Sequence, residues 1–462
     1  MFQIIKKFKS KIALIDEYKG KISYQDLEKD SEKISNKIKN KSLIFIVGNN
    51  CLEWICGYIG FLKNNHVILL VDEKMEEKSF FNLVKKFKPN FIYKHKKMYK
   101  SLNQKKKIRY KDYDLIEIYK LRHNFHPKLS LLLNTSGTMG NSKYVRISLE
   151  NLIVNSNSII KYLKIKQKDR LLTLLSPSYS FGLSMINTHI LKGCTLILNN
   201  NSIIEKEFWN KLETNKATTF GGVPFVFEII NKIGISKYNI SSLKYVTQAG
   251  GAMSGDLFQK IHKMFKKKKI KFLTMYGQTE ASPRMSYLPY KYNLKKRNCI
   301  GIPISGGKFS LVNKYKKEIK ETNIIGELVY EGKNVSLGYA ESAEDFSKED
   351  LNNGKLFTGD LAYKDKDNFF YITGRQDRLV KLFGYRINLD DLENSLNENG
   401  LLVVCKKSQN KLNIFYTDQS KIINLKQKVF SLTKLNRNFI NFKMIKSIPR
   451  NSSGKIKYDQ IN

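Results

Sequence analysis

The stretch LSLLLNTSGTMGNSK, residues 129–143, joins an apolar run to a loop of small and hydroxylated residues. The apolar run predicts a buried strand, and the two glycines of the loop let the backbone turn tightly and approach oxyanions. The pattern is neither GxxxxGK[ST] nor GxGxxG, so the common P-loop and dinucleotide-binding folds are not implied. Taken alone, the loop fits a triphosphate site and an ordinary surface turn equally well. Its candidate phosphate-binding residues are Thr135, Ser136, Gly137, Thr138, Gly140 and Lys143.

Short runs rich in Ile, Val and Leu alternate with helical patterns on both sides of this loop. This alternation is typical of parallel sheets with crossover helices. Several of the runs end in Gly, Ser or Pro, and ligands of open α/β sheets bind beyond the carboxyl ends of the strands, so we expect the loops to meet in one crevice. The runs include SLIFIVGNN (42–50), VILLVD (67–72), LLTLLSP (171–177), TLILNN (195–200), ATTFGGVP (217–224), SLKYVTQAGG (242–251) and KFLTMYG (271–277).

From about residue 324 the pattern changes to strands and turns, as in GELVYEGKNVSLGY (326–339). After residue 377 there remain a capped helix from Asn388, two strand candidates and a helix around Lys428, enough for a small domain. The sequence therefore predicts an α/β protein. We expect a large N-terminal domain of mixed and parallel sheets with flanking helices (residues 1–376) and a small α+β C-terminal domain (residues 377–462).

The chain is strongly basic, with 82 Lys and Arg against 41 Asp and Glu and a formal net charge of +41. This charge first suggests nucleic acid or an anionic membrane surface. Lysines occur almost everywhere, however, together with heavy use of Ile and Asn, which favours codon bias and a solvated lysine surface. We expect no specific nucleic-acid partner, and a basic binder on a retired enzyme fold is the remote alternative.

The five cysteines form no CxxC pair and the six histidines are scattered, so no metal-ligand constellation is expected. The N-terminus lacks the continuous apolar core of a secretory signal, which predicts a cytoplasmic protein. Residues 171–191 contain no charged Asp, Glu, Lys or Arg and approach the length of a membrane span. Pro177, Asn187 and several Ser and Gly positions instead predict a buried strand, loop and helix, without a transmembrane segment.

Several motifs, taken together and in order, resemble those of the adenylate-forming superfamily of acyl-CoA synthetases, amino-acid adenylation domains and luciferases. TSGTMGNSK resembles the family's T-S-G-T-T-G-x-P-K phosphate loop, QAGGA (248–252) its adenine loop, and YGQTE (276–280) its Y-G-x-T-E. The resemblance implies that Tyr276 stacks on adenine, Thr279 contacts the α-phosphate and Glu280 holds magnesium. An aromatic face, a hydroxyl and a carboxylate together after a strand agree with these roles. The implied adenine-loop residues are Gly250, Gly251 and Ala252.

The C-terminal motifs follow in the same order. TGD (358–360) resembles the motif whose aspartate, here Asp360, holds both ribose hydroxyls. GRQD (374–377) implies ribose contact by Arg375 and a hinge at Asp377, and Gly384 would line the channel of the incoming thiol. PRNSSGKI (449–456) resembles P-R-T-x-x-G-K-I, which makes Lys455 the catalytic lysine. A cation between the substrate carboxylate and the α-phosphate would lower their repulsion.

The acyl pocket is expected around residues 177–184 and 222–225, with Tyr179, Phe181, Gly182, Val223 and Pro224 as candidate lining residues. Members that activate amino acids carry F-D-x-S here, and Gly182 stands at the aspartate position. An ammonium would then lack its carboxylate, which argues against α-amino acids. The sequence around residues 179–191 also resembles that of short AMP-dependent ligases of bacterial surface-glycan loci.

The resemblance implies a two-step ligase that uses ATP and Mg²⁺ to convert a small carboxylic acid to acyl-AMP. The acyl group would then pass to the thiol of CoA or of the phosphopantetheine on an acyl carrier protein. The close alternative is an amino-acid adenylation ligase that loads a carrier protein. The acyl group, the acceptor and the oligomeric state remain open.

Overall fold

Two large sheets and two small ones organise the chain in the computed structural model, which describes residues 7–104, 106–135, 143–296, 298–382, 385–397, 402–408, 411–450 and 455–461. Within these ranges the strands are β1 (Ile12–Asp16), β2 (Gly20–Ser23), β3 (Leu43–Gly48), β4 (Val67–Asp72), β5 (Phe91–His95), β6 (Lys107–Tyr110), β7 (Tyr113–Glu117), β8 (Leu129–Asn134), β9 (Tyr144–Ser148), β10 (Arg170–Leu172), β11 (Thr195–Ile197), β12 (Thr219–Gly222), β13 (Tyr245–Gln248), β14 (Lys271–Tyr276), β15 (Ser286–Tyr287), β16 (Cys299–Pro303), β17 (Gly307–Val312), β18 (Gly326–Gly332), β19 (Tyr339–Ala340), β20 (Lys355–Lys364), β21 (Phe370–Arg375), β22 (Leu379–Leu382), β23 (Tyr385–Asn388), β24 (Val403–Ser408), β25 (Lys411–Tyr416) and β26 (Ile440–Met444). The α-helices of the same ranges are α1 (Tyr24–Ser35), α2 (Leu52–Lys63), α3 (Glu77–Phe87), α4 (Leu149–Leu163), α5 (Ser180–Lys192), α6 (Lys206–Thr214), α7 (Pro224–Ile233), α8 (Gly255–Lys267), α9 (Leu389–Leu396) and α10 (Ile422–Thr433). The predicted α/β class, with a large body of mixed sheets and a small C-terminal α+β unit, is confirmed.

The larger sheet has thirteen described strands in the order β17-β18-β20-β21-β16-β15-β14-β13-β12-β10-β11-β1-β2. Strands β14, β13, β12, β10, β11 and β1 form a continuous parallel run. Strand β2 pairs antiparallel with β1 at one end, and β15, β16, β21, β20, β18 and β17 extend the other end with antiparallel pairs. Because β12, β13 and β14 are adjacent and parallel, the loops after them leave the sheet at the same edge.

The second sheet has eight described strands in the order β19-β9-β8-β4-β3-β5-β7-β6. Strand β9 is antiparallel to β8, so the predicted phosphate loop is the connection of a hairpin. The short strand β19 pairs with β9, with Tyr339 opposite Val145. Strand β19, which is distant from the phosphate loop in sequence, therefore lies beside the two ends of that loop.

The described residues after β21 form a hairpin, β22-β23, and a three-stranded sheet, β24-β25-β26, that packs with α9 and α10. Asn388 caps α9, as the sequence predicts, by accepting hydrogen bonds from the backbone N–H groups of Asp390 and Asp391. The core of this unit includes Leu392, Val403, Ile414, Leu425 and Val429.

Local signals explain where the helices beside the crevice begin and end. Helix α4 begins with a reciprocal capping box between Ser148 and Asn151, at 3.0 and 2.9 Å. Helix α7 begins with Pro224, whose fixed φ suits the first helical position. Helix α5 ends at Gly193, whose φ of +73° is the left-handed conformation of a glycine cap.

Residues 171–191 form the end of β10, a loop and most of α5, as the sequence predicts. Strands β10 and β11 are shorter than the apolar runs LLTLLSP and TLILNN indicated. Just beyond their ends, the Asn199 backbone N–H donates to the Thr173 hydroxyl oxygen at 2.8 Å, a side-chain bond in place of the backbone ladder. Among the described residues, no helix has both the length and the apolar character needed to cross a membrane.

Candidate active site

The two ends of the phosphate loop meet where β8 passes to β9. The backbone N–H of Thr135 donates to the carbonyl of Lys143 at 3.4 Å, and the Lys143 ammonium pairs with Glu341 at 2.9 Å. The same ammonium lies 6.0 Å from the ring centroid of Tyr339. The predicted loop residues Ser136, Gly137, Thr138 and Gly140 lie outside the described residues.

The loop after β13 carries Gly250, Gly251 and Ala252, and it touches two other predicted segments. Gly250 has a φ of +85°, and a Cβ there would lie 2.3 Å from the Tyr179 hydroxyl. A Cβ on Gly251 would lie 3.3 Å from Pro224. The glycines therefore allow the loops after β12 and β13 and the start of α5 to approach one another closely.

Asp360 on β20 is the centre of a polar cluster formed with the loop after β14 and the end of β21. The Tyr276 hydroxyl donates to its Oδ2, and Gln278 Nε2 donates to the same oxygen at 2.9 Å. Arg375 Nη1 lies 3.7 Å from Oδ1. Burial raises the pKa of Asp360 above its ordinary value, against the opposite influence of Tyr276, Arg375 and Gln278. The predicted ribose residues Asp360 and Arg375 are thus neighbours, beside the predicted adenine residue Tyr276.

Glu280 and Thr279 lie at the opposite end of the same loop. The Tyr339 hydroxyl donates to Glu280 Oε1 at 2.8 Å, and the Glu280 carbonyl accepts from the Ser336 N–H at 2.8 Å. The hydroxyl oxygens of Thr279 and Ser180 are 3.0 Å apart. Contacts from both sides of the crevice therefore hold this turn.

Lys455 comes to this cluster from the C-terminal unit. Burial lowers the pKa of its ammonium, which interacts electrostatically with Glu280 and Asp360 as well as with Arg375. The segment is also attached through Arg450, whose guanidinium lies 5.2 Å from the Phe225 ring centroid and 3.9 Å from Glu228. The structure thus brings the last predicted motif to the same crevice as the others.

The C-terminal unit links the Lys455 segment back to the predicted hinge. Tyr458 donates to Glu393 Oε2 at 2.8 Å, and its ring lies 4.2 Å from the Arg378 guanidinium. Arg378 follows Asp377 in a turn at Gln376–Arg378, and Asp377 accepts a bond from Arg375 Nε at 3.3 Å. The predicted thiol-channel residue Gly384 lies outside the described residues.

Among the candidate acyl-pocket residues, Phe181 and Val223 are buried, and Tyr179 touches the adenine loop. Gly182 faces away from open space, because a Cβ there would lie 2.4 Å from the Ser176 carbonyl oxygen and 3.1 Å from Leu175. An aspartate cannot occupy this position without moving the backbone. Gly182 therefore lets α5 pack against its preceding loop, a role that the sequence analysis did not anticipate.

Four functional candidates were missed in the sequence. Gln278 is the variable position of YGQTE, and Tyr339 ends the run GKNVSLGY, where a hydroxyl after a glycine was the available signal. The signals for the other two residues were weaker. Glu341 is an acid two residues after Tyr339, and Arg284 is an arginine in a chain whose basic residues are mostly lysines. Their partners lie far away in the sequence, so only the fold reveals them.

Comparison with known proteins agrees with this fold. The family model described as AMP-binding enzyme matches residues 2–340. The chain belongs to the AMP-binding enzyme family.

Individual relatives are distant. The chain is 26% identical over 275 residues to a long-chain-fatty-acid–CoA ligase of Bacillus subtilis, covering 59% of this chain and 48% of the relative. It is 30% identical over 271 residues to a mitochondrial medium-chain acyl-CoA ligase of Mus musculus, covering 56% and 43%. The aligned region thus spans about half the length of these curated relatives. The solved O-succinylbenzoate coenzyme A synthetase of Bacillus subtilis in complex with AMP superposes with a TM-score of 0.81 at 19% identity, covering 100% of this chain and 97% of that one, which establishes the shared fold.

Proposed function

We propose that this chain uses ATP to convert a carboxylic acid to an acyl-AMP, with release of pyrophosphate, and then transfers the acyl group to a thiol. The names of its relatives, which are acyl-CoA ligases, support this proposal. The single observation that carries it is the polar cluster of Asp360 with Tyr276, Gln278 and Arg375. Lys455 interacts electrostatically with this cluster and with Glu280. A lysine from a separate unit, partly desolvated beside carboxylates, is suited to meet two oxyanions.

In the first step, a carboxylate oxygen of the acid attacks the α-phosphorus of ATP, and the bond to the bridging oxygen of pyrophosphate breaks. Lys455 lies between the two oxyanions and stabilises the charge that develops as they approach. Thr279 donates its hydroxyl to the α-phosphate. Both groups act by preorganised electrostatics, so neither needs to change its proton count.

The nucleotide is bound by groups of the large body. Asp360 accepts the two ribose hydroxyls with help from Arg375, and Tyr276 stacks on the adenine beside the Gly250 loop. Thr135 and Lys143, at the two ends of the phosphate loop, contact the β- and γ-phosphates. Binding of ATP therefore competes with the ion pair between Lys143 and Glu341.

Glu280 fits the requirement of a magnesium ion. Mg²⁺ prefers one or two carboxylates together with phosphate oxygens over an all-protein cage. The Tyr339 hydroxyl orients the Glu280 carboxylate. When bound, the ion would neutralise the phosphate charge.

We propose a domain boundary between residues 376 and 377, with Asp377 as the hinge for the second step. Rotation of the C-terminal unit would withdraw Lys455 and bring Gly384 beside the incoming thiol. The thiol sulfur then attacks the acyl carbonyl carbon and AMP leaves. CoA and the phosphopantetheine of a carrier protein are the two acceptors that fit. Gly384→Trp should then block transfer while adenylation persists.

The acid is a small carboxylic acid, and an amino acid is the alternative. The Ser176 carbonyl lies so close to Gly182 that it leaves no room for a side chain at this position. By the family resemblance, this is the position of the aspartate that binds the substrate ammonium in members that activate amino acids. This observation favours acids without an ammonium group.

Mass spectrometry of the reaction products tests the proposal. The protein is incubated with ATP and Mg²⁺ and with single members of a panel of fatty, aryl, hydroxy and amino acids. We expect acyl-AMP from at least one acid and none without acid. Product from amino acids alone would establish the alternative, and no acyl-AMP from any panel member would contradict the proposal.

A further inference from the structure

Arg284 is a buried cation that packs against Phe181, one of the candidate acyl-pocket residues. It lies four residues after Glu280, and only 2% of its surface is exposed. Its guanidinium carbon lies 4.9 Å from the ring centroid of Phe181, a predicted pocket residue. Phe181 directly follows Ser180, whose hydroxyl is 3.0 Å from that of Thr279. Arg284 is therefore close to the place where the acid reacts.

The positive charge of the Arg284 guanidinium has few hydrogen-bond partners among the described residues. Its Nη1 reaches the Tyr162 hydroxyl and the Met275 sulfur, both at the long distance of 3.5 Å. Its Nε has no hydrogen-bond partner, and it forms no ion pair with a carboxylate in the part of the chain that the structure describes. A buried charge without a partner is costly, so natural proteins rarely keep one without a reason.

The other titratable groups around Arg284 do not supply a negative charge. Burial lowers the pKa of His189 to about 4 and raises the pKa values of Tyr162 and Tyr245, so all three are neutral near pH 7. Asp169, which also influences His189, is paired with Lys244. Among the described residues, none of these groups offers Arg284 a carboxylate partner.

The backbone that carries Arg284 is firmly held. Asn155 Nδ2 donates to the Arg284 carbonyl at 2.7 Å, and Asn334 Nδ2 donates to the Ala281 carbonyl at 2.6 Å. The Phe181 ring and the flexible Met275 thioether cover the guanidinium.

We propose that Arg284 binds a second carboxylate at the far end of a short acyl substrate, so that the enzyme activates one carboxyl group of a dicarboxylic acid. This inference rests on the proposed function and narrows its substrate class. The same cation disfavours a substrate ammonium in the pocket. A guanidinium binds a carboxylate in a bidentate manner, which also fixes which carboxyl group reacts.

Carboxylate-dependent exchange of labelled pyrophosphate into ATP tests this assignment with matched acids. Malonate, succinate, glutarate and adipate are compared with propionate, butyrate, valerate and hexanoate. We expect one dicarboxylate to exceed its monocarboxylate partner by at least about a hundredfold in kcat/KM, because a site built for a polar group rejects the analogue that lacks it.

Substitutions then assign the preference to Arg284. Arg284→Met should abolish the preference for the dicarboxylate, and Arg284→Lys should restore part of it. The matched control is Arg146→Met, because Arg146 is also buried but its terminal nitrogens donate to the Leu337, Lys348 and Glu349 carbonyls. That variant should lose stability without changing the ratio between the two acids. Thermal unfolding verifies that each variant is folded.

Pyrophosphate exchange by the wild-type protein with the matched acids tests the assignment of Arg284 even if Arg284→Met does not fold. Exchange with monocarboxylates that equals or exceeds exchange with dicarboxylates would overturn the assignment of Arg284 and leave the proposed adenylation standing. An unchanged preference in folded Arg284→Met would also overturn it. Exchange with no acid of either series, nor with the wider panel above, would contradict the proposed function itself.

Discussion

The two sides of the candidate active site are built differently. On the large body, Asp360 contacts Tyr276, Gln278 and Arg375, and Glu280 is held by Tyr339. The Lys455 segment instead reaches the body through Arg450, at 5.2 Å from the Phe225 ring centroid and 3.9 Å from Glu228. The proposed nucleotide side is thus held by hydrogen bonds within the large body, whereas the proposed catalytic lysine comes from the separate C-terminal unit.

This difference has a functional meaning. We propose that the preorganised side binds the nucleotide without reorganisation, while the segment from the separate unit leaves after the first half-reaction. Substitutions on the two sides should therefore fail in different assays.

The largest expected effect is that of Lys455→Ala. It removes the cation between two oxyanions, so acyl-AMP formation should fall by about a hundredfold or more. Transfer from supplied acyl-AMP to the thiol should largely persist, which single-turnover measurements of each half-reaction would detect. Equal losses in both steps would mean that the C-terminal unit does not alternate between two roles.

Asp360→Ala affects the preassembled side. Loss of an acceptor for the ribose hydroxyls should raise the KM for ATP by about tenfold to a hundredfold, the scale of hydrogen bonds to a charged group. Steady-state kinetics with varied ATP measures this change, and Asp367→Ala, a surface acid near the end of the same strand, is the control. An unchanged KM in the Asp360 variant would exclude the ribose role.

The pH dependence of kcat/KM should distinguish the two sides of the site. The large body should set the acidic limit of activity, and the Lys455 segment should set the alkaline limit. Asp360 must be ionised, and its pKa is raised above 3.8, so kcat/KM for ATP should fall at low pH earlier than for an ordinary aspartate. Lys455 must be protonated, and its pKa is lowered from 10.5, so kcat/KM should fall as the pH rises through that lowered value.

Lys455→Arg is the control for the alkaline limit. The guanidinium stays charged, so the alkaline fall should move to higher pH even if the overall rate decreases. An alkaline limit that does not move in this variant would assign it to another group.

The smallest expected effect is that of Arg450→Ala, which removes the stacking on Phe225. Adenylation should slow by about two- to fivefold, the scale of a partly exposed cation–π contact, while transfer from acyl-AMP stays unchanged or quickens. Arg437→Ala, in which the lost arginine stacks on Phe430 within the C-terminal unit, is the matched control. A tenfold or larger loss in both half-reactions would show that Arg450 supports the fold instead.

Much of this arrangement could be predicted from the sequence because the decisive residues follow strands directly. Gly250 follows β13 and Tyr276 ends the adjacent parallel strand β14, so their proximity follows from the alternation of strands and helices. The C-terminal α+β unit was equally visible in its capped helix and strand patterns.

Other features depend on contacts across the fold. Tyr339 and Glu280 are 59 residues apart and meet because β19 pairs with β9. Gly182 was interpreted as a pocket position by analogy, yet its surroundings are set by the Ser176 carbonyl. The uncompensated charge of Arg284 is invisible in the sequence, because burial and the absence of a partner among the described residues are properties of packing.

The most direct test of the central claim is pyrophosphate exchange into ATP, measured with and without a carboxylic acid, in the wild-type protein and in Lys455→Ala. We expect exchange that requires both the acid and Mg²⁺ and that falls by about a hundredfold in the variant. Exchange that proceeds without any acid, or that is unaffected by the loss of Lys455, would contradict the account.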